Sequence, residues 1–281
     1  MNYSDLFFIM FVTSSTMFGI VFGSFLNVVI YRIPASKTIV KGHSMCMTCG
    51  HTLGVLDLVP ILSWLFLGGK CRYCKAPIAS RYCKIECFTG LCFLLTALNH
   101  REITELLLQG SNKFLVPQFA MYCTFLLMIC CVISVMMIFY DTRKAYLQFP
   151  LIILISRALV VLIYGIYVGN ITLALYSIAI FIIMSVAFIA IPYIVIRLVK
   201  ANYSKVDFLF DFAMGTALTF VSQYAYVNKF EKIYTFIPLL TFYTIVRLLT
   251  KDKKYEKYMG ILCASIIVLL LASSIILMYI Y

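Results

Sequence analysis

Four cysteines stand in two C-x-x-C pairs, Cys46 with Cys49 and Cys71 with Cys74, and 21 residues separate the pairs. Each pair aims two sulfurs at one point, and two pairs at this spacing close a tetrahedral four-thiolate site. Zn²⁺ suits such a site because it imposes little geometry of its own and has no redox chemistry. Gly50, Gly68 and Gly69 give the backbone the freedom that such turns need. Lys41, Lys70, Arg72 and Lys75 surround the sulfurs with positive charge and favour thiolates. A site with four protein ligands has no open position, so its expected role is to order the loop that carries it. The other seven cysteines, Cys83, Cys87, Cys92, Cys123, Cys130, Cys131 and Cys263, lie in or beside apolar stretches and read as small packing residues.

The elements that must carry this loop are membrane helices. Of the 281 residues 63% are hydrophobic and 12% charged, against about 25% charged in an ordinary soluble domain. Apolar runs at about 6–30, 85–99, 116–140, 147–168, 171–191, 208–227, 233–246 and 258–280 predict an all-α polytopic membrane protein of eight spans. The second and seventh runs are short for a full crossing. The division follows: a first transmembrane helix over 1–30, a cytoplasmic four-cysteine loop over 31–84, and a helical bundle over 85–281. With both ends outside, 18 of the 23 basic residues fall in inside loops and four in outside loops, while Arg157 sits within a helix. That asymmetry assigns the cysteine loop to the reducing cytoplasm. The net charge of +12 is therefore an orientation signal and no nucleic-acid footprint. Met1 to Asp5 hold no Lys or Arg and no A-x-A-like site follows, so a cleaved signal peptide is not expected.

Three stretches in order, GSFLNVVIYRIP over 23–34, VPILSWLFLGGKCRYC over 59–74 and IASRYCKIECFTG over 78–90, together with the cysteine pairs, resemble the amino-terminal region of type IV prepilin peptidases. The resemblance runs over 23–90, about a quarter of the chain. It implies a bifunctional enzyme of the inner (cytoplasmic) membrane, with prepilins or pseudopilins and the lipid bilayer as its partners. Such an enzyme cleaves the short basic leader at the cytoplasmic face and then N-methylates the new amino terminus with S-adenosylmethionine. It also implies an aspartic protease whose second aspartate sits in a G-x-G-D motif.

Aspartic proteolysis needs two carboxylates sharing a proton, one as base toward water and one as acid toward the carbonyl oxygen. Of the eleven acidic residues, Asp5, Glu102, Glu105 and Glu231 fall outside in the eight-span reading, and Asp252 and Glu256 lie among lysines. That leaves Asp57, Glu86, Asp141, Asp207 and Asp211. Asp141 closes the third run and Asp207 opens the sixth at the same face, and these two are the expected catalytic pair. Asp211, one helical turn beyond Asp207, is the alternative partner. The other reading makes both members ordinary interfacial ion pairs, Asp141 with Arg143 or Lys144 and Asp207 with Lys205. The chain also departs from the family here. Ser204, Lys205 and Val206 stand where the family has G-x-G, although Gly215 matches a later family glycine, and Pro150 falls nine residues after Asp141 rather than about seven.

Methyl transfer is less defined. Glu86, beside Arg81 and Tyr82 at the entry to the second helix, is the candidate carboxylate for a substrate amine, with a helix-end pair to Arg81 or Lys84 as the plainer alternative. Gly23, Ser24 and Asn27 form a small, polar stripe on the first helix, suited to close packing with a hydrogen bond from Asn27. Two other functions stay in view: a peptidase-inactive relative that binds or assembles pilins, and a small transporter. The transporter is disfavoured because the carboxylates gather at one face rather than at mid-membrane.

Overall fold

A computed structural model describes residues 3–110, 112–199, 202–224 and 232–249, and among them every regular element is helical. The chain divides into two compact units, Met1–Leu98 and Asn99–Tyr281. The first holds α1 (Tyr3–Arg32), a 3₁₀ turn (Val55–Asp57), α2 (Leu62–Phe66) and α3 (Arg81–Leu98). The second holds α4 (Arg101–Leu108), α5 (Asn112–Thr142), α6 (Gln148–Val168), α7 (Ile171–Leu198), α8 (Lys205–Tyr224) and α9 (Lys232–Leu249).

Among the described residues four helices, α1, α5, α6 and α7, are long and apolar enough to cross a membrane. The expected runs at 85–99, 208–227 and 233–246 fall on α3, α8 and α9. Charge explains why α3 and α8 do not join the four: α3 opens with Arg81, Lys84 and Glu86, and α8 opens with Lys205, Asp207 and Asp211. The run at 258–280 lies outside the described residues, as do Asp252 and Glu256. Sequence reading also missed two short helices: α4, and α2 inside the cysteine loop.

In the first unit α1 and α3 approach closely because small residues line the crossing. Ser15, Gly19, Gly23 and Asn27 recur every fourth position and are all buried. A Cβ at Gly19 would stand 2.6 Å from Cβ of Phe93, and one at Gly23 would stand 2.7 Å from Cα of Glu86. Polar contacts follow from that proximity: the Ser15 hydroxyl donates to the Phe93 carbonyl at 3.2 Å, and Asn27 Nδ2 donates to the Tyr82 carbonyl at 3.3 Å. Helix spacing this short is possible only where no side chain intervenes, which accounts for the stripe predicted over Gly23, Ser24 and Asn27.

In the second unit Gly169 ends α6 in the left-handed conformation (φ 76°), and Asn170 caps α7 by accepting the Leu173 amide at 3.0 Å. Gly215 lets α8 close on α7, since a Cβ there would meet Cβ of Phe188 at 2.7 Å. The rings of Phe139 on α5 and Phe210 on α8 lie 4.3 Å apart and lock those helices side by side.

A bulky residue at the α1–α3 crossing tests this account. Gly23→Leu meets backbone rather than a movable side chain, and overpacking of this kind costs about 1–3 kcal/mol. The variant in detergent micelles is expected to melt several degrees below wild type by scanning calorimetry, whereas Gly54→Ala, at negative φ and with only an ordinary contact at 3.7 Å to Asp57 Oδ2, is expected to melt closer to wild type.

Candidate functional site

The four predicted metal ligands come together. One ligand atom from each of Cys46, Cys49, Cys71 and Cys74 can be chosen so that all lie within 4.8 Å of one another, and the sulfurs of Cys46 and Cys74 are 3.8 Å apart. A tetrahedron with Zn–S bonds of about 2.3 Å has edges of about 3.8 Å, so the donor set fits a thiophilic cation. The two pairs are built on one plan. Gly50 donates to the Cys46 carbonyl and Cys46 to the His51 carbonyl, both at 2.9 Å. Lys75 donates to the Cys71 carbonyl at 3.0 Å and Cys71 to the Ala76 carbonyl at 2.8 Å. The fourth residue after each leading cysteine takes positive φ, 69° at Gly50 and 60° at Lys75. The second turn thus does with a lysine what the first does with a glycine. The Cys46 thiol is lowered to about 6 by the amides of Cys49 and Thr48. Cys74 is pushed up to about 11: the Ala76 amide opposes the rise, but desolvation and the neighbouring thiols outweigh it. Cys46 thus gives up its proton more readily than Cys74, and a metal ion bound by thiolates displaces such protons.

The rim of the cluster is tied by Asp57. Its carboxylate accepts Arg72 Nε at 2.6 Å, the Tyr73 hydroxyl at 3.1 Å and the Gly54 amide at 3.1 Å. The Arg72 guanidinium holds the Asp57 carboxyl below the usual carboxylate range. Tyr73 in turn lies against His51 with ring centroids 3.6 Å apart, so the two cysteine turns are stapled to each other. Arg72 is therefore engaged by Asp57, where its expected task was to hold the sulfurs as thiolates.

Glu86 also has partners that were not expected: its Oε2 accepts the Ile61 amide at 2.7 Å, and the Ser24 hydroxyl bonds the same carboxyl. Ile61 adopts φ 62°, ψ −56°, and the Leu62 amide reaches back to the Pro60 carbonyl at 2.6 Å. That is the positive-φ γ-turn, strained for any residue and more so for a β-branched one. The buried carboxylate holds the strained turn in place.

In the second unit the aspartates meet an arginine. Arg247 directly follows the apolar run at 233–246, where the charge pattern makes it one of the 18 inside-loop cations, but it is buried in the last turn of α9. Its Nη2 donates to Asp207 Oδ1 at 3.0 Å and to Asp211 Oδ2 at 3.2 Å, while its Nε makes a charge contact with Asp211 Oδ1 at 2.7 Å. Asp211 is fully buried and also accepts the hydroxyls of Tyr243 at 2.5 Å and Tyr203 at 2.8 Å. Asp207 belongs at the same time to the α8 terminus. Its Oδ2 accepts the Ser204 amide at 2.9 Å and the Ser204 hydroxyl at 2.6 Å, and the Asp207 amide donates to Ser204 Oγ at 3.2 Å. This reciprocal capping box, with Arg247, takes the place of the alternative Asp207–Lys205 pair and gives Ser204 a local role. Asp141 is exposed in the last turn of α5, two residues beyond Phe139. Phe210, its ring partner, lies three residues beyond Asp207, so Asp141 and Asp207 occupy the same end of the α5–α8 pair.

Sequence reasoning missed Arg247, Tyr243 and Tyr203. The signal was an i,i+4 match: Tyr243 and Arg247 share one face of α9, as Asp207 and Asp211 share one face of α8.

Residues 17–100 match the family model of the bacterial peptidase A24 N-terminal domain. The chain is 49% identical over 75 residues to the prepilin leader peptidase/N-methyltransferase of Myxococcus xanthus, covering 27% of this chain and 22% of the relative. It is 37% identical over 102 residues to a type 4 prepilin-like proteins leader peptide-processing enzyme of Escherichia coli, covering 30% of this chain and 38% of the relative. Against the prepilin leader peptidase/N-methyltransferase of Pseudomonas aeruginosa the identity is 35% over 104 residues, covering 29% and 36%. The chain thus spans about a fifth to two fifths of the length of these curated relatives. No solved structure matches. Over residues 17–100, then, the chain is similar to the amino-terminal domain of bacterial A24 peptidases and to enzymes named for prepilin leader processing.

Two measurements probe these clusters. Purified protein is expected to carry one thiophilic metal ion per chain by mass spectrometry of the digested sample, and Cys71→Ser is expected to lose most of it. Asp211→Asn leaves Arg247 short of its closest counter-charge, and breaking a buried pair this way costs about 3–5 kcal/mol. Its melting temperature is expected to fall well below that of Asp141→Asn, whose carboxylate is exposed.

Proposed function

We propose that this protein processes prepilins or pseudopilins at the cytoplasmic (inner) membrane, cutting the leader with Asp141 and Asp207 and then N-methylating the new amino terminus. The observation that carries the reading is the amino-terminal match over 17–100, which coincides with a compact unit holding an intact four-cysteine cluster. In this proposal the cluster holds a structural Zn²⁺, the loop faces the cytoplasm as the basic residues indicate, and the full eight-span topology applies.

For cleavage, Asp207 is the ionised member, since Arg247 supplies a positive charge 3.0 Å from its Oδ1. It takes a proton from water as the water oxygen attacks the scissile carbonyl carbon. Asp141, at the same end of the α5–α8 pair, gives a proton to the carbonyl oxygen; on collapse Asp207 passes its captured proton to the departing amide nitrogen and Asp141 takes a hydroxyl proton back, so the C–N bond breaks to leader acid and free amino terminus. A carboxylate offers about four lone-pair directions. Among the described residues three donors reach Asp207, which leaves one such direction for water in this proposal.

For methylation, the relatives' name implies a methyl donor, which in this proposal is S-adenosylmethionine. Both the donor's ammonium group and the substrate's amino terminus are cations that a buried carboxylate suits, and Glu86 is the candidate. Access to Glu86 requires the strained turn at Ile61 to release its amide.

A second reading has its own support. Arg247 engages both Asp207 and Asp211, and Ser204, Lys205 and Val206 replace the family's G-x-G, which favours a relative that binds prepilins without cutting them.

Purified protein in lipid nanodiscs, mixed with a prepilin, separates the two. Leader loss and a one-methyl mass gain are expected from wild type. Asp141→Asn and Asp207→Asn are each expected to slow cleavage at least about a hundredfold, on the scale of losing a general acid or base. Glu86→Gln is expected to keep cleavage and lose the methyl gain. Wild-type binding without cleavage supports the second reading, and full cleavage by Asp207→Asn removes that residue from the chemistry.

A further inference from the structure

Between Asp57 and Lys70 the chain reads LVPILSWLFLGG, twelve residues without a charge inside the loop that the cysteines organise. These residues leave their apolar side chains uncovered. Val55 and Leu56, just before the run, are 84% and 72% exposed, and within it Leu62, Leu65 and Phe66 are 50%, 56% and 86% exposed. A contiguous apolar edge of this kind marks a contact surface.

Where the edge sits decides what covers it. The Ile61 amide is bound to Glu86, the Ser24 hydroxyl is bound to the same carboxyl, and Gly23 lies directly beneath Cα of Glu86. Ser24 precedes Arg32, the next charged residue along α1, by eight positions (32 − 24), about 12 Å of helix. The loop therefore folds back along α1 instead of projecting beyond its end. It reaches the level of Val21, Phe22 and Phe25, apolar residues exposed on a helix long and apolar enough to cross a membrane.

Most of the segment's backbone amides are satisfied internally. Irregular chain is tolerated in hydrocarbon only where its polar groups are satisfied internally. Pro60 has no amide hydrogen to satisfy. The amide of Ile61 goes to Glu86, that of Leu62 to the Pro60 carbonyl, and that of Ser63 to the Val59 carbonyl. Leu65, Leu67, Gly68 and Gly69 donate to the carbonyls of Ile61, Ser63, Leu65 and Trp64. Even the Trp64 indole N–H is bonded, to the Ile78 carbonyl at 3.1 Å. Exposed Lys70 and Lys75 follow directly, a placement that complements anionic headgroups.

We propose that residues 58–69 form a re-entrant segment seated in the bilayer leaflet nearest the cysteine turns. Leu62, Leu65 and Phe66 contact acyl chains, and the γ-turn at Ile61 is the fold-back point held by Glu86. The surface takes lipid as its partner, and its existence does not depend on the proteolytic or methylating chemistry.

Trp64 is the chain's sole tryptophan and reports on this segment without mutation. Full-length protein is reconstituted into vesicles whose phospholipids carry bromine on the acyl chains, and its emission is compared with that in unbrominated vesicles. Bromine is expected to reduce Trp64 intensity by about half, as for an indole at the membrane interface, while aqueous iodide has little effect. A second variant, Phe66→Trp in a Trp64→Phe background, puts the indole at the most exposed position and is expected to be quenched more strongly by bromine. Quenching by iodide without quenching by bromine overturns the proposal, because the segment then lies in water. Protection from both quenchers also overturns it, because another protein surface then covers the edge. If the double variant does not fold, the wild-type result decides alone.

Discussion

The first unit depends on the contact between Gly23 and the backbone of Glu86. Because glycine brings α1 and α3 within van der Waals reach there, the Glu86 carboxylate is carried to Ser24 and to the Ile61 amide. That bond fixes Ile61 in a backbone geometry it would not adopt unaided, and so sets where α2 begins. α2 carries Trp64, whose ring lies against Gly69 and whose indole bonds Ile78, on either side of the second cysteine pair. One close helix approach is thus transmitted, through a buried carboxylate and a strained turn, to the position of two of the four clustered cysteines. Asp57 completes the transmission from the other side by joining the 3₁₀ turn to Arg72 and Tyr73.

The second unit is organised around a buried cation. Arg247 brings one positive charge to two carboxylates one turn apart on α8, where the like charges of Asp207 and Asp211 would otherwise repel. The phenols of Tyr203 and Tyr243 satisfy remaining acceptor sites on Asp211, as a buried ion pair requires. The division of labour between the aspartates follows from depth. Asp211 is enclosed and fully bonded, which suits support. Asp207 keeps partial exposure, with 18% of its side chain reaching solvent, so it is the member of the pair that water can approach.

What could be read from the residues alone was whatever depends on spacing along one segment. The four-thiolate cluster follows from two local turns, and helices α1, α5, α6 and α7 follow from uninterrupted apolar length. What escaped depends on contacts between segments. Arg247 was counted with the loop cations because a basic residue at the end of an apolar run looks the same whether it faces water or a buried carboxylate 40 residues earlier. The bond from Ile61 to Glu86 escaped because its donor is a backbone amide, which nearly every residue possesses. Lys75 at positive φ was invisible for a similar reason: the hydrogen bonds of a C-x-x-C turn impose left-handed backbone on whichever residue stands there, and the favourable glycine was present in only one of the two turns.

The departure at 204–206 has a physical reason that bears on chemistry. A glycine before the aspartate lets backbone approach closely and leaves the carboxylate free of local side-chain bonds. Serine at 204 does the reverse. It caps α8 and binds Oδ2 of Asp207 with both its amide and its hydroxyl, while Arg247 binds Oδ1. Each of those bonds stabilises the charged carboxylate and so weakens it as a proton acceptor. If Asp141 and Asp207 act as proposed, a member held this firmly still polarises water but relies more on Asp141, exposed at the end of α5, to supply the proton. On that proposal the aligned ends of α5 and α8 are where small changes in helix packing, such as at Phe139 and Phe210, would most directly alter cleavage.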